Sequence, residues 1–151
     1  MTRTFSKVYG LAGLRMGYAL SSPTIAELLN RVRQPFNVNS LALRAAEAAL
    51  EDEAHLRESV AANREGMRQL TQAFFELGLA YIPSVANFVS VEMERSAAQV
   101  YEALLHEGVI VRPVANYGMP RHLRVTVGTA AENRRFIEAL KKVLTKHASA
   151  S

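Results

Sequence analysis

The feature that most constrains this fold is a long amphipathic segment, from about residue 53 to residue 77. Its apolar residues recur at spacings of three, four and seven, which places them on one face of an α-helix. They are Leu56, Val60, Met67, Leu70, Phe74 and Leu77. Gly78 follows directly and is the expected C-terminal stop of such a helix. A helix of this length can link two lobes, so we expect one part of the molecule on each side of it.

Beyond Gly78 the pattern changes to alternating strands and helices. We predict strands over residues 86–93, 109–114 and 122–127, in alternation with helices. Ser96-x-x-Gln99 and Thr129-x-x-Glu132 are capping-box patterns that predict the starts of two helices. The core-facing side chains of the last helix are Phe136, Ile137, Leu140, Val143 and Leu144. The sequence therefore predicts an α/β domain after residue 78.

Two shorter helices are predicted before the long one. Ser22 is typical of an N-cap and Pro23 of a first helical position, so we expect a helix to about Arg33. A second helix begins at Asn39 or Ser40 and continues to about residue 50. The side chains that the first helix is expected to bury are Ile25, Leu28, Leu29 and Val32.

The N-terminal segment, residues 3–18, contains the strongest candidates for chemistry. A short extended run delivers Ser6 and Lys7 side by side, and Gly10 allows a sharp turn after them. Arg15 follows at the start of a predicted strand over residues 14–20. An amine can hold a phosphorylated aldehyde covalently, while a hydroxyl and a guanidinium bind its phosphate. On composition alone, a solvated loop lysine is the commoner case.

Two arginines lie on predicted strands of the C-terminal part. Because strand side chains alternate, Leu123, Val125 and Val127 share one face, and Arg124 projects from the other. Arg112 precedes a proline, which keeps it extended. Both arginines could simply lie on a solvated sheet face, or they could line a cleft that binds an anion.

Bulk composition excludes several classes of protein. The net charge is +4, but the basic residues are spread along the chain and mixed with Glu, so we expect no nucleic-acid partner. No apolar run is long enough to span a membrane, and no membrane partner is expected. The absence of Cys fits a reducing compartment. None of the four histidines has metal-ligand spacing, and we expect His55, His106 and His147 to be solvated on helices and no metal site.

Two strings carry a resemblance to a known family. The string Ser-Lys-x-x-x-Leu-Ala-Gly-Leu-Arg-x-Gly-Tyr, from Ser6 to Tyr18, resembles the cofactor-binding segment of fold type I pyridoxal-phosphate aminotransferases. Val-Arg-Pro, followed by Tyr-Gly and then Leu-Arg-Val-Thr-Val-Gly-Thr, resembles the C-terminal signature of the same family. Within the family, the chain is most similar to the histidinol-phosphate aminotransferases.

The resemblance implies a cofactor, a reaction and roles for named residues. Lys7 would be the catalytic residue and would hold pyridoxal 5'-phosphate. The other implied cofactor-binding residues are Ser6, Arg15 and Thr4. Arg124 and Arg112 would bind the substrate phosphate, and Asn87 also matches a family string with a less defined role in substrate binding. The implied reaction is transamination between L-histidinol phosphate and 2-oxoglutarate in histidine biosynthesis.

The resemblance also implies an architecture. The fold would be α/β, the C-terminal part of a fold type I transferase whose small domain has a mostly antiparallel sheet. Residues 1–52 would be the end of the cofactor-binding large domain, 53–78 a linking helix and 79–151 the small domain. Family members are more than twice as long, so the chain resembles a C-terminal portion without the Asp that pairs with the pyridine nitrogen. Very low activity is expected of this chain alone.

Several alternatives stay open at this point. Partners would be a phosphorylated amine and a 2-oxo acid, and the complete enzyme would be a cytoplasmic homodimer. Within the same fold, the protein could instead be an aromatic or other amino-acid aminotransferase, or a relative of threonine-phosphate decarboxylases. A third possibility is a non-catalytic fragment that binds anions or pairs with a subunit.

Overall fold

A computed structural model describes residues 1–94 and 96–148 of the chain. The chain divides into two compact units, Met1–Val60 and Ala61–Ser151. Among the described residues, none of the helices combines the length and the apolar composition that a transmembrane segment requires.

The first unit contains an antiparallel strand pair and helical segments. Strand β1 (Thr2–Thr4) pairs with β2 (Gly17–Ala19), with Arg3 directly opposite Tyr18. A 3₁₀ helix, Ala12–Leu14, lies between the two strands. The α-helices are α1 (Pro23–Val32), α2 (Ser40–Glu51) and the first turns of α3 (Glu53–Glu76).

Local capping signals define the helix starts of this unit as the sequence predicts. Ser22 is the N-cap residue of α1, with Pro23 in the first helical position. The side chain of Asn39 accepts a hydrogen bond from the Ala42 N–H at 2.9 Å and caps α2. The Asn39 contact satisfies a backbone donor that the first helical turn leaves unpaired. The Ser22 side chain, by contrast, makes no capping hydrogen bond, so only its position agrees with the prediction.

The prediction that α1 buries its apolar stripe is wrong. Ile25, Leu28 and Leu29 are each more than half exposed, and Val32 is 79% exposed. The described side chains buried in this unit are only Phe5, Ala42 and Ala46, so the unit has no apolar core that could cover the stripe. Periodicity identifies the apolar face of a helix, but burial depends on a neighbouring layer.

The second unit is built on a four-stranded antiparallel sheet in the order β3-β4-β6-β5. Its strands are β3 (Tyr81–Ile82), β4 (Phe88–Glu92), β5 (Arg112–Pro113) and β6 (His122–Thr126). Two further helices are α4 (Ala97–His106) and α5 (Ala130–Ala148). This confirms the predicted α/β class with an antiparallel sheet.

The core of the second unit lies on one face of its sheet. Val89 and Val91 of β4 and Leu123 and Val125 of β6 are at most 3% exposed. They pack in one cluster with apolar residues of the helices, among them Leu70, Phe74, Leu104, Phe136, Leu140 and Val143. The long helix ends as predicted, because Gly78 adopts φ +69° and the Leu79 N–H donates to the Phe74 carbonyl at 2.9 Å.

Two predictions for this unit need correction, and one strand was not predicted. The strand predicted over residues 109–114 is reduced to Arg112–Pro113. The proline has no N–H with which to extend the ladder on its C-terminal side. Ser96 precedes α4, but its side chain makes no capping hydrogen bond, so the predicted capping box is absent there. Strand β3 was not predicted, because two residues are too few for a recognisable pattern.

Candidate active-site segments

The loop that carries Lys7 is anchored by its neighbour Phe5. The Phe5 N–H donates to the Met16 carbonyl at 3.1 Å, and the Phe5 carbonyl accepts from the Leu11 N–H at 2.9 Å. Its ring is 1% exposed and lies against Tyr9 and Tyr18, at centroid distances of 5.0 and 5.9 Å. One buried aromatic residue therefore fixes where the loop leaves β1 and where it returns. Sequence reasoning missed this role, although a lone Phe beside the Ser-Lys pair was a usable signal.

Within the loop, the backbone turns directly after Lys7. The Gly10 N–H donates to the Lys7 carbonyl at 2.9 Å, and Gly10 adopts φ +69°, a conformation that glycine accepts without strain. The Ser6 N–H donates to Thr4 Oγ1 at 3.1 Å. Lys7 is exposed, and its amine has no hydrogen-bond or ion-pair partner among the described residues. Thr4, Ser6 and Lys7 are thus presented together on a turn whose backbone is held in place.

The sequence predicts that Arg15 lies at the start of a strand, and this prediction is wrong. Arg15 ends the 3₁₀ helix in the left-handed conformation, with φ 53° and ψ 51°, and strand β2 begins only at Gly17. Arg15 Nη1 donates to the Ala12 carbonyl at 2.7 Å. The next residue, Met16, accepts the hydrogen bond from Phe5, so the Arg15 backbone lies beside the start of the Lys7 loop.

A residue from α3 also contacts this loop. His55 Nε2 lies 3.1 Å from the Val8 carbonyl oxygen and 3.3 Å from Ser59 Oγ. Because a carbonyl can only accept, the contact with Val8 requires a proton on Nε2. The expectation that His55 is merely solvated is therefore incomplete. Its ring is exposed, but it binds the backbone next to Lys7, a contact between residues too distant in sequence for any local pattern to reveal.

In the second unit, Arg112 and Arg124 are directly opposite each other in the β5–β6 ladder. Arg124 is also opposite Ser90 in the β4–β6 ladder. Since the neighbours of Arg124 along β6 are buried in the core, its side chain projects from the other face, as predicted. Directly opposite residues share a face, so both arginines lie on the face away from the core.

Each arginine has an aromatic neighbour. The guanidinium carbon of Arg124 lies 4.8 Å from the centroid of the Phe88 ring. Its Nε atom is buried and has no hydrogen-bond partner among the described residues. Arg112 is exposed, and its Nη2 atom lies 3.4 Å from the hydroxyl of Tyr117. Neither guanidinium forms an ion pair with a carboxylate of the described chain, so both retain donors for an anion.

Asn87, the third predicted substrate-binding residue, precedes β4. Its backbone carbonyl accepts from the Val127 N–H at 2.9 Å, which continues the β4–β6 ladder by one bond. Its side chain is exposed and makes no hydrogen bond to a described residue. It lies at the end of the strand pair that carries Phe88 and Arg124.

The donor set of the first unit suits a phosphorylated aldehyde. Lys7 supplies a primary amine on an exposed turn, and Ser6, Thr4 and Arg15 supply hydroxyl and guanidinium groups in the same backbone segment. Imine-forming sites that bind a phosphate require these chemical groups. The residues present therefore fit pyridoxal phosphate.

Comparison with known proteins identifies the class. The sequence profile described as aminotransferase class I and II matches residues 1–140. The chain belongs to this family of aminotransferases.

Individual relatives narrow the similarity further. Histidinol-phosphate aminotransferase 2 of Pseudomonas fluorescens is 64% identical over 146 residues, which are 97% of this chain and 40% of that protein. The solved structure of histidinol-phosphate aminotransferase from Sinorhizobium meliloti, in complex with pyridoxal-5'-phosphate, has 32% identity and a TM-score of 0.87. It is matched over 96% of this chain and 41% of that one.

A third protein represents a different reaction on the same fold. The structure of L-threonine-O-3-phosphate decarboxylase from Porphyromonas gingivalis has 27% identity and a TM-score of 0.81, over 96% of this chain and 46% of that chain. The chain spans about 40% of the length of the curated relatives it matches.

Proposed function

We propose that the protein carrying this chain transfers the amino group of L-histidinol phosphate to 2-oxoglutarate, with pyridoxal 5'-phosphate held on Lys7. The products are imidazole-acetol phosphate and glutamate. The 64% identity with a relative named for this activity supports the choice of substrate.

The observation that carries the proposal is the pairing of Arg112 with Arg124. The two arginines are directly opposite each other in the strand register, and neither has a carboxylate partner among the described residues, so this face of the sheet is locally positive. A phosphate dianion compensates both charges and accepts bidentate hydrogen bonds from each guanidinium. A substrate carrying a phosphate therefore fits this surface better than an uncharged side chain does.

The residues of the first unit would have separate roles in binding the cofactor and in transferring the proton. The Lys7 amine would hold the cofactor covalently. Once released, it would act as general base and acid, taking the proton from the substrate carbon that bears the amino group and delivering it to the cofactor. Ser6, Thr4 and Arg15 would donate hydrogen bonds to the cofactor phosphate. When bound, pyridoxal phosphate supplies the electron sink for deprotonation of the substrate carbon.

Reduction with borohydride tests the assignment of Lys7. The full-length protein is incubated with pyridoxal phosphate, reduced and digested, and the modified peptide is located by mass spectrometry. We expect a pyridoxyl group on Lys7, and no such label in the Lys7→Ala variant. Lys141→Ala is the matched control and should label like the wild type. A label that persists after Lys7→Ala, or that is distributed over surface lysines, would contradict the proposal.

A second candidate function is decarboxylation of a phosphorylated amino acid. It is favoured by the structural similarity to the threonine-phosphate decarboxylase and by the same pair of arginines. Turnover of histidinol phosphate, threonine phosphate and phenylalanine by the full-length protein separates the alternatives. A preference for threonine phosphate with release of carbon dioxide would favour the decarboxylase, and equal use of phenylalanine would indicate a broader aminotransferase.

Further parts of the proposal concern the whole protein. We propose that residues 1–52 are the end of a large domain, residues 53–78 a linking helix and residues 79–151 a small domain.

We also propose that the whole protein is a cytoplasmic homodimer. The exposed apolar stripe of α1 supports an additional contact surface. Sedimentation with and without pyridoxal phosphate tests the dimer. The purified 151-residue chain should turn over far more slowly than the full-length protein.

A further inference from the structure

We propose that Phe88 is a positioning residue that orients the guanidinium of Arg124 for the anionic group of the substrate. This inference rests on the proposed function, in which Arg124 contacts that group. In this inference the orientation of the Arg124 side chain is set by contact with the aromatic ring of Phe88 and not by a hydrogen bond.

The sheet register brings the two side chains together. Phe88 is directly opposite Thr126 in the β4–β6 ladder, and Arg124 is two residues from Thr126 on the same face. Diagonal neighbours in an antiparallel pair are within reach of aromatic and long side chains. The guanidinium carbon accordingly lies 4.8 Å from the ring centroid, well inside the range of a cation–π contact.

This contact leaves the hydrogen-bonding edge of the guanidinium available. A cation–π interaction is an electrostatic attraction to the ring and pairs none of the five guanidinium N–H donors with a nitrogen or oxygen acceptor. The ring can therefore hold Arg124 without consuming the donors that a phosphate or carboxylate needs. The unpaired, buried Nε atom indicates that no hydrogen bond from the described residues fixes the base of this group.

No hydrogen bond or ion pair in the described part of this unit could replace the contact with the ring. Arg124 makes no hydrogen bond or ion pair with a described residue, and its cross-strand neighbours are a small hydroxyl residue, Ser90, and the like-charged Arg112. Without the ring, Arg124 would have to give up rotamer freedom each time it binds an anion.

A purely structural role for Phe88 is disfavoured by its position. It is partly exposed and does not belong to the apolar cluster that forms the core, whereas its neighbour Val89 does. Replacement of Phe88 by Leu should therefore leave the fold intact while it removes the aromatic face.

The test compares Phe88→Leu and Phe88→Tyr in the full-length protein. We expect KM for histidinol phosphate to rise about fivefold to tenfold in Phe88→Leu, with kcat within about twofold of the wild type. Phe88→Tyr retains an aromatic face and should restore KM. Phe75→Leu, a replacement of a mostly exposed aromatic residue on α3, is the matched control and should change neither constant.

Binding of inorganic phosphate, measured by calorimetry, gives a readout that does not depend on turnover. Its affinity should fall in Phe88→Leu in parallel with the rise in KM, and recover in Phe88→Tyr. Unchanged KM and unchanged phosphate affinity in Phe88→Leu would overturn the inference, even if Lys7 carries the cofactor. If instead Lys7 takes up no pyridoxyl group while phosphate affinity still depends on the ring, the proposed function fails and the positioning role stands.

Discussion

Arg112 and Arg124 occupy directly opposite positions on β5 and β6, so two positive charges share one face of the sheet. Like charges in such a pair destabilise a sheet, whereas an opposite-charge pair at the same position stabilises it by about 0.2–1 kcal/mol. Among the described residues no carboxylate forms an ion pair with either guanidinium, although Arg121 of the same unit does pair with Glu92. Under the proposed function, the phosphate of the substrate would compensate both charges, and the repulsion would be present only in the unliganded protein.

This arrangement predicts opposite effects on stability and on binding. Arg112→Gln should leave the free energy of unfolding unchanged or raise it by up to about 1 kcal/mol, because it removes the repulsion. The same change should increase KM for histidinol phosphate more than tenfold, because a charge-assisted pair of hydrogen bonds is lost. Urea unfolding and steady-state kinetics measure the two quantities.

Arg134→Gln provides the matched control for this experiment. Arg134 is an exposed arginine of α5 and does not lie on the sheet. Its replacement should alter neither quantity by a measurable amount. A clear loss of stability in Arg112→Gln, with KM unaffected, would show that Arg112 is a structural residue.

The contact between His55 and Val8 predicts that α3 orders the Lys7 loop. His55→Ala removes the donor 3.1 Å from the Val8 carbonyl, so the amide of Gly10, which donates to the Lys7 carbonyl, should exchange with deuterium faster. Hydrogen exchange with mass spectrometry of the peptide that contains residues 5–11 measures this. His55→Gln retains a side-chain donor, so its exchange rate should lie between those of the wild type and His55→Ala. Equal exchange in all three proteins would refute the role of His55.

The sequence predicted local features of this chain better than it predicted contacts. Asn39 and the pair Thr129 and Glu132 identify helix starts because the capping partner lies only three residues away. Alternation along β6 likewise gave the face from which Arg124 projects. These signals depend on neighbours in the sequence, so no tertiary information is needed to interpret them.

Other features could not be predicted because they depend on distant partners or on backbone strain. The opposition of Arg112 and Arg124 is set by strand register, and the contact of His55 with Val8 joins two separate elements. The left-handed conformation of Arg15 is rare for a residue with a side chain, and no neighbouring residue in the sequence predicts it. Whether the apolar side chains of α1 are buried depends on a neighbouring layer of structure, which the pattern within the helix does not specify.

Close approach of α3 to the loop after β6 predicts that Gly66 cannot be replaced. A methyl group at Gly66 would lie 2.5 Å from Val127 Cγ1 and 2.8 Å from Asn133 Nδ2. Asn133 is 2% exposed and exchanges two hydrogen bonds with the Gly128 backbone, so it cannot easily move. Gly66→Ala should therefore lower the free energy of unfolding by about 1–3 kcal/mol, despite the better helix propensity of Ala.

Urea unfolding of the same variant measures this effect, and Gly13→Ala is the matched control. A methyl group at Gly13 meets no atom within 4 Å, so that change should stay within about 0.5 kcal/mol of the wild type. If Gly66→Ala were as stable as the wild type, the packing of α3 against this loop would have to be looser than the structure indicates.

The start of α5 predicts a defined dependence of stability on pH. The Thr129 N–H and hydroxyl donate to Glu132 Oε2 at 2.7 and 2.8 Å. These bonds, the backbone one first, hold the pKa of the Glu132 carboxyl below its ordinary value of 4.5. A carboxyl group whose pKa is lower in the folded state stabilises the fold fully above its unfolded pKa, and this contribution is lost as pH falls through the folded pKa.

Glu132→Gln should therefore be less stable than the wild type at pH 7, and the two unfolding curves should converge as pH falls below 4.5. The glutamine side chain cannot ionise, so the variant lacks this part of the acid sensitivity. Thermal unfolding by circular dichroism at several pH values measures the difference. Glu138→Gln, on the exposed face of the same helix, should follow the wild-type curve at every pH. A constant difference between Glu132→Gln and the wild type across the acid range would mean that the cap does not depend on the charge of Glu132.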